Sequence, residues 1–175
     1  MLVELLSDQP AIEYLDGRPY RKVSPKLSHS LVQGAFCRLL HRLGGNRGLV
    51  GPELDVWPSG GRGSDTKFVP DVAYVTLERL RTLSAEDREE PPFSPDIAVE
   101  VWSPKNDRKF LNAKIARYLA TGSVLVLDVN PTTRTIVAHD GRSVRRYEKG
   151  ERFEHPAFDW LRFDVAEVFA DLDVK

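Results

Sequence analysis

An acidic side chain stands inside a strongly apolar stretch of the sequence. Glu100 is flanked by Ala98, Val99, Val101 and Trp102. A carboxylate in the middle of a buried strand is costly unless a basic side chain, a proton or a metal ion compensates its charge. Glu100 is therefore a candidate metal ligand, and a buried ion pair without catalytic function is the alternative.

Asp71 presents a similar case. It follows Pro70 inside another apolar stretch, on the strand face that Ala73 and Val75 share. Because Pro-Asp is also common in turns, a plain turn is the alternative for this residue.

A lysine lies on the apolar side of a predicted helix over 107–121. At about 100° per residue, Lys114 points in the same direction as Leu111 and Tyr118, which belong to the stripe that should face the sheet. Its side chain either extends to the rim of the apolar surface or meets Glu100, whose strand directly precedes this helix.

Together these three residues define a chemistry. Two carboxylates on neighbouring strands can hold Mg²⁺, which prefers oxygen ligands and keeps several waters. Such an ion lowers the pKa of a bound water and neutralises charge on a phosphoryl oxygen. A desolvated lysine nearby can position or deprotonate the attacking water. The combination indicates hydrolysis of phosphodiesters.

The elements that must position these residues predict one α/β domain over 1–175, with a mixed sheet. Their order is helix, three strands, helix, strand (αβββαβ), with a hairpin at each end. The predicted hairpins lie at 12–24, turning at Asp16-Gly17, and at 134–147, turning at Asp140-Gly141. The predicted helices are one capped by Ser28 and ended by Gly44-Gly45, a short one at 77–83, the one at 107–121, and a last one capped by Asp164. The predicted strands cover 49–57, 67–75 with Pro70 marking an edge or a bulge, 96–102 and 123–129.

Composition and charge limit the function classes. The chain has 175 residues and a formal net charge of -1, which argues against a nucleic-acid packaging protein. A nuclease remains compatible, because a local basic groove is enough to bind DNA. The first residues lack the basic region of a signal peptide, and no stretch approaches the ~20 apolar residues of a membrane span. We expect a soluble, cytoplasmic protein.

The order of several motifs resembles the PD-(D/E)xK superfamily, and more closely its Uma-two family of "putative restriction endonucleases". V-P-D at 69–71 is followed by E-V-W-S-P at 100–104, N-D-R at 106–108 and K-I-A-R-Y at 114–118. The resemblance covers nearly the whole chain. Its further matches are Tyr14-Leu15-Asp16-Gly17, Ser24-Pro25, His29 and Asn130-Pro131. It implies a restriction-endonuclease-like core, with the two terminal hairpins as additions.

The resemblance also implies roles for individual residues. Asp71 and Glu100 would bind Mg²⁺ or Mn²⁺, with the Val101 carbonyl as a third ligand. Trp102 stands where the generic motif has lysine, and Lys114 on the following helix fits that role. The implied activity is metal-dependent cleavage of DNA. A homodimer is expected, because restriction enzymes commonly use two sites to cut two strands.

Two further groups of residues are auxiliary candidates. His29 at the start of the first helix could lie near the metal, with a solvated helix start as the alternative, and Glu13 in the first hairpin could approach the site. Three basic residues next to the candidate site could contact phosphates, namely Lys105, Arg108 and Lys109.

Two other functions remain open from the sequence. The domain could be a catalytically silent nucleic-acid-binding or protein-interaction module that retains the nuclease fold, and the near-neutral charge mildly favours this. It could also be a toxin-like or mobile-element nuclease that works with a partner protein.

Overall fold

The computed structural model of the chain describes residues 11–22, 24–104 and 107–173. The strands are β1 (Ile12–Leu15), β2 (Arg18–Arg21), β3 (Gly48–Pro52), β4 (Val72–Thr76), β5 (Ile97–Val101), β6 (Leu125–Asn130), β7 (Thr135–His139), β8 (Val144–Tyr147), β9 (Arg152–His155) and β10 (Phe158–Asp164). The helices are α1 (Leu27–Gly44), α2 (Leu77–Arg81), α3 (Ala85–Glu89), α4 (Arg108–Ala120) and α5 (Val165–Val168). In these described residues, short 3-10 helices cover Gly45–Arg47 and Ala170–Asp173.

The central sheet has six strands in the order β3-β4-β5-β6-β7-β8. Strands β5 and β6 are parallel, and the other neighbours are antiparallel. Parallel neighbours need a crossover connection, which α4 supplies here. The sequence of α1, β3, β4, β5, α4 and β6 confirms the predicted αβββαβ core and mixed sheet.

The sheet separates two apolar cores. Alternate side chains of β5, among them Ile97, Val99 and Val101, join α1 and the C-terminal elements in the larger core. Ala98 belongs to the smaller core, which α4 covers. Because side chains alternate along a strand, Glu100 lies on the same face as Ala98. The sheet therefore turns Glu100 towards α4.

Helix α4 begins at a side-chain cap. The Asp107 carboxylate accepts a hydrogen bond of 2.8 Å from the Lys109 amide, as is typical of an N-cap residue. The buried residues of α4 recur at helical spacing; they are Leu111, Lys114, Ile115 and Tyr118. The predicted helix is confirmed, and Lys114 lies on its buried side.

The first hairpin, β1–β2, forms a separate two-stranded sheet. Its turn uses positive φ angles at Asp16 (50°) and Gly17 (75°), which confirms the predicted Asp-Gly turn. The Tyr14 amide donates to the Lys67 carbonyl over 2.8 Å. The hairpin is thus joined to the segment that leads to Asp71.

Two hairpins near the C-terminus differ in how they join the fold: one belongs to the central sheet and the other forms a separate sheet. The predicted hairpin at 134–147 forms as β7–β8 and extends the central sheet beyond β6. A separate hairpin, β9–β10, follows it and contributes Phe153, Leu161 and Phe163 to the larger core.

Four local predictions differ from the structure. Ser28 does not cap α1, because the bond from the Ser30 amide to the Lys26 carbonyl (3.0 Å) begins the helix at Leu27, so that Ser28 lies inside its first turn. The strand predicted at 49–57 ends at Pro52, where Glu53 takes a positive φ of 52°.

The strand predicted at 67–75 begins only at Val72, so Pro70 marks neither an edge strand nor a bulge. Proline has no amide proton for the ladder, and β4 lies between β3 and β5. Helix α2 ends at Arg81, where its cap residue Thr82 donates its amide to the Arg79 carbonyl (3.2 Å).

None of the described helices is both long and apolar enough to cross a membrane.

Candidate active site

Asp71 lies immediately before β4, and both oxygens of its carboxylate have protein partners. Oδ1 lies 2.8 Å from Lys22 Nζ. Oδ2 accepts a hydrogen bond of 2.6 Å from the Val101 amide and lies 3.2 Å from His29 Nε2. Burial alone would raise the pKa of Asp71, but the charge of Lys22 and the hydrogen bond from His29 outweigh it and hold that pKa well below its usual range. Asp71 is therefore an ionised, buried carboxylate.

Lys114 lies between two carboxylates. Its Nζ atom is 2.5 Å from Glu13 Oε1 and 2.7 Å from Glu100 Oε1, and the residue is only 2% exposed. Burial disfavours the charged amine, yet Glu100 and Glu13 together raise the pKa of Lys114 above its ordinary value. The side chain is consequently held as an ammonium ion.

Glu100 shares this network. Its Oε1 atom also accepts a hydrogen bond of 3.0 Å from the Tyr118 hydroxyl. Burial raises the pKa of Glu100 to about 8, against the influence of Lys114 and with that of Asp71 and Glu13. Glu100 can therefore carry a proton near neutral pH in the absence of another cation.

Glu13, an auxiliary candidate in the sequence analysis, is in direct contact with Lys114 in the structure. Its Oε1 atom contacts Lys114 and accepts a hydrogen bond of 2.8 Å from the Val69 amide. The residue is 3% exposed, although Ile12 beside it is 38% exposed. The side of β1 that carries Glu13 thus faces inwards, which no periodicity in a four-residue strand indicates.

Lys22 is a site residue that sequence reasoning missed. Besides Asp71, its Nζ atom contacts Glu53 Oε2 at 2.7 Å and the Val69 carbonyl at 2.8 Å. The surrounding residues Pro19-Tyr20-Arg21-Lys22 show no apolar pattern that would mark a buried lysine. The available signal is weak, namely a basic residue that directly follows the second strand of the hairpin.

One cavity of about 180 Å³ brings the candidate residues together. Its lining residues from the predicted site are Glu13, His29, Asp71, Glu100 and Lys114, and the other lining residues are Tyr20, Arg21, Lys22, Ser103, Asp107, Phe110 and Leu111. The rings of Tyr20 and Phe110 stack with centroids 3.8 Å apart. The first hairpin, the start of α1, the start of β4, the end of β5 and α4 therefore meet around a single space.

Two residues that line this cavity each have a buried polar atom with no hydrogen-bond partner among the described residues. These atoms are the Ser103 hydroxyl oxygen and His29 Nδ1, on residues that are 5% and 8% exposed. Buried polar groups are normally hydrogen-bonded, so these atoms indicate room for a ligand or for water.

The structure describes two of the three predicted phosphate contacts, Arg108 and Lys109, in the first turn of α4. Arg108 pairs with Asp128 at 2.5 Å and stacks over Trp102, with the guanidinium carbon 4.0 Å from the ring centre. Lys109 is exposed in the first turn of α4. Lys105 lies outside the described residues.

The donor atoms fit a hard divalent ion by their chemistry. In the described part of the chain, no group of three or more His, Cys, Asp and Glu side chains is arranged to hold a metal. Mg²⁺, however, needs only one or two carboxylates and retains water. Asp71 and Glu100 supply two, the Val101 main chain adjoins Asp71, and the unpartnered Ser103 hydroxyl offers a contact for bound water.

Comparison with known proteins places this fold and sequence. The chain is similar to a protein of Anabaena variabilis ATCC 29413, whose crystal structure is described as that of a "putative nuclease belonging to DUF820". The TM-score is 0.80 at 20% sequence identity, over 92% of this chain and 90% of the other, which shows a shared fold. The Uma2 family, described as "Putative restriction endonuclease", matches residues 2–166, and the chain belongs to this family. The family resemblance is thereby confirmed. None of the curated proteins matches the chain.

Proposed function

We propose that the chain is a Mg²⁺- or Mn²⁺-dependent endonuclease that hydrolyses phosphodiester bonds of DNA, working as a homodimer. One observation carries the proposal: the carboxylates of Asp71 and Glu100 and the ammonium of Lys114 line one cavity. Membership of a restriction-endonuclease family supports the choice of DNA as substrate.

Asp71 and Glu100 would hold the ion, with the Val101 carbonyl as the third protein ligand. When bound, such an ion neutralises charge on a phosphoryl oxygen and lowers the pKa of a coordinated water. The low pKa of Asp71 suits it as a permanent anionic ligand. Glu100 would lose its proton when it takes up this role, because a ligand carboxylate must be ionised.

The environment of Lys114 favours one of its two predicted roles. A general base must be unprotonated, whereas Glu13 and Glu100 raise the pKa of Lys114. Its ammonium is suited to orient the attacking water and to stabilise negative charge that develops on the phosphate. Glu13 would then keep this ammonium in place through its 2.5 Å contact.

The test is cleavage of plasmid, linear and single-stranded DNA with Mg²⁺ or Mn²⁺. We expect the wild-type protein to cut at least one substrate, and D71A, E100A and K114A to lose roughly 100-fold or more of that activity. D55A is a matched control, because Asp55 pairs with Lys67 outside the cavity. Intact DNA after incubation with the wild-type protein and both ions would refute the proposal.

A non-catalytic binding module is the second candidate. It is favoured by the closed network, in which Asp71 and Glu100 already have lysine partners at 2.8 and 2.7 Å. Thermal unfolding with Mn²⁺ separates the two candidates. A metal-dependent rise in Tm that D71A abolishes supports a metal site, whereas DNA binding without any response to Mn²⁺ supports the module.

A further inference from the structure

Lys22 contributes a second ammonium ion to the cavity, besides that of Lys114. It contacts Asp71, which the proposed function assigns as a metal ligand. The Lys22 side chain is 14% exposed and belongs to the lining of the cavity. Its three partners are Asp71 Oδ1 at 2.8 Å, Glu53 Oε2 at 2.7 Å and the Val69 carbonyl at 2.8 Å. An ammonium has three donors, so all of them are used.

The contacts divide the charges of the cavity between two lysines. Lys114 neutralises Glu13 and Glu100, whereas Lys22 contacts Asp71. Lys22 is thus the lysine in direct contact with Asp71. Removing its charge would leave the Asp71 carboxylate without a lysine contact among the described residues.

The two oxygens of Asp71 are not equally accessible to a cation. Oδ2 accepts the Val101 amide and also faces His29. Oδ1 has Lys22 as its partner among the described residues. A cation that approaches Asp71 through Oδ1 therefore meets the positive charge of Lys22.

Glu53 offers an alternative position for the Lys22 ammonium. It is 46% exposed at its side chain and already contacts Lys22. Its other oxygen accepts a hydrogen bond of 2.9 Å from Gln33, which also donates to the Asp71 carbonyl over 2.8 Å. Glu53 is therefore fixed next to Asp71 and can retain Lys22 when the contact with Asp71 is lost.

We propose that Lys22 is an internal counter-ion that competes with the divalent cation for Asp71, and so sets the affinity of the site. The inference rests on the proposed role of Asp71 as a metal ligand. In the absence of the ion, Lys22 neutralises a buried carboxylate. In its presence, the ammonium loses its contact with Asp71 and keeps those with Glu53 and the Val69 carbonyl.

The experiment is calorimetric titration of the full chain with Mn²⁺, without DNA. We expect K22M to bind Mn²⁺ about tenfold more tightly than the wild type, because a nearby positive charge is removed. K22Q keeps a hydrogen-bond donor but not the charge, so it should also bind more tightly and serves if K22M does not fold. K22R keeps the charge and should bind like the wild type.

K67M is the matched control, because Lys67 is similarly buried (18% at the side chain) and paired with Asp55 at 2.6 Å outside the cavity. It should leave the Mn²⁺ affinity unchanged. Unchanged or weaker binding by both K22M and K22Q would overturn the inference, as would a K67M shift of the same size. Absence of Mn²⁺ binding by every variant would overturn it too.

This result is separable from the test of function. If K22M binds Mn²⁺ more tightly but the wild-type protein cuts no DNA, the proposed role of Lys22 stands and the proposed nuclease activity is refuted. If the wild-type protein cuts DNA but K22M and K22Q bind Mn²⁺ no more tightly than it does, the nuclease proposal stands and the role of Lys22 is refuted.

Discussion

Replacing Lys114 with methionine removes the ammonium that lies between Glu13 and Glu100. Methionine approximates the length and volume of the lysine stem, so the change mainly deletes the charge. Without it, two carboxylates that are 3% and 6% exposed face each other with no cation between them. The metal-free K114M protein should therefore be markedly less stable than the wild type.

The size of this effect follows from the burial of the pair. Removal of one partner from a buried ion pair costs about 3–5 kcal/mol in the free energy of unfolding. For a chain of this size, that corresponds to a decrease in Tm of roughly 10 °C. Because a lone buried carboxylate can bind a proton, the loss should be smaller at pH 6 than at pH 9.

Urea denaturation followed by circular dichroism measures the loss directly. K67M is again the control, since its partly exposed pair with Asp55 should contribute about 1 kcal/mol or less. The double variant E100Q/K114M should be more stable than the sum of the single effects predicts, by about 1 kcal/mol or more. A K114M loss no larger than that of K67M, or strict additivity with E100Q, would refute the network as described.

Two further predictions concern Glu100 and Ser103, which line the same cavity as Lys114. The pKa of Glu100 is raised to about 8, so its contribution to stability is complete below the pKa of an unfolded glutamate and is lost as the pH rises through about 8. The metal-free wild type should lose stability between about pH 4.5 and 8, and E100Q should show a flatter profile in urea denaturation; parallel profiles would contradict the shift. S103A removes a buried hydroxyl that has no partner among the described residues, so its Tm should equal or exceed that of the wild type. DNA cleavage by S103A should fall roughly tenfold if the hydroxyl serves the ligand, and a Tm several degrees lower would show a structural role instead.

The part of the site on regular elements could be predicted from the sequence. Glu100 and Lys114 are exceptions within otherwise apolar patterns, and their strand and helix are consecutive. A periodic pattern of two or 3.6 residues determines which way such side chains point. Their meeting at 2.7 Å agrees with that reasoning.

The part contributed by the first hairpin could not be predicted in the same way. Lys22 and Asp71 are 49 residues apart, and no pattern in a four-residue strand tells which face is buried. The position of the hairpin depends on its pairing with the segment at 65–68, through bonds such as that from the Gly17 amide to the Asp65 carbonyl (2.7 Å). Such long-range pairing leaves almost no trace in a single sequence.

Trp102 stands where the generic motif has lysine, and the lysine of the candidate site comes from α4 instead. Trp102 anchors the crossover instead of supplying an ammonium: its amide donates to the Val129 carbonyl over 2.7 Å, and Arg108 stacks on its ring. Arg108 in turn pairs with Asp128 on β6, so the start of α4 is fastened to both parallel strands. That attachment and the Asp107 cap fix the rotation of α4 about its axis. A lysine two turns further along the helix therefore reaches Glu100 without belonging to its strand.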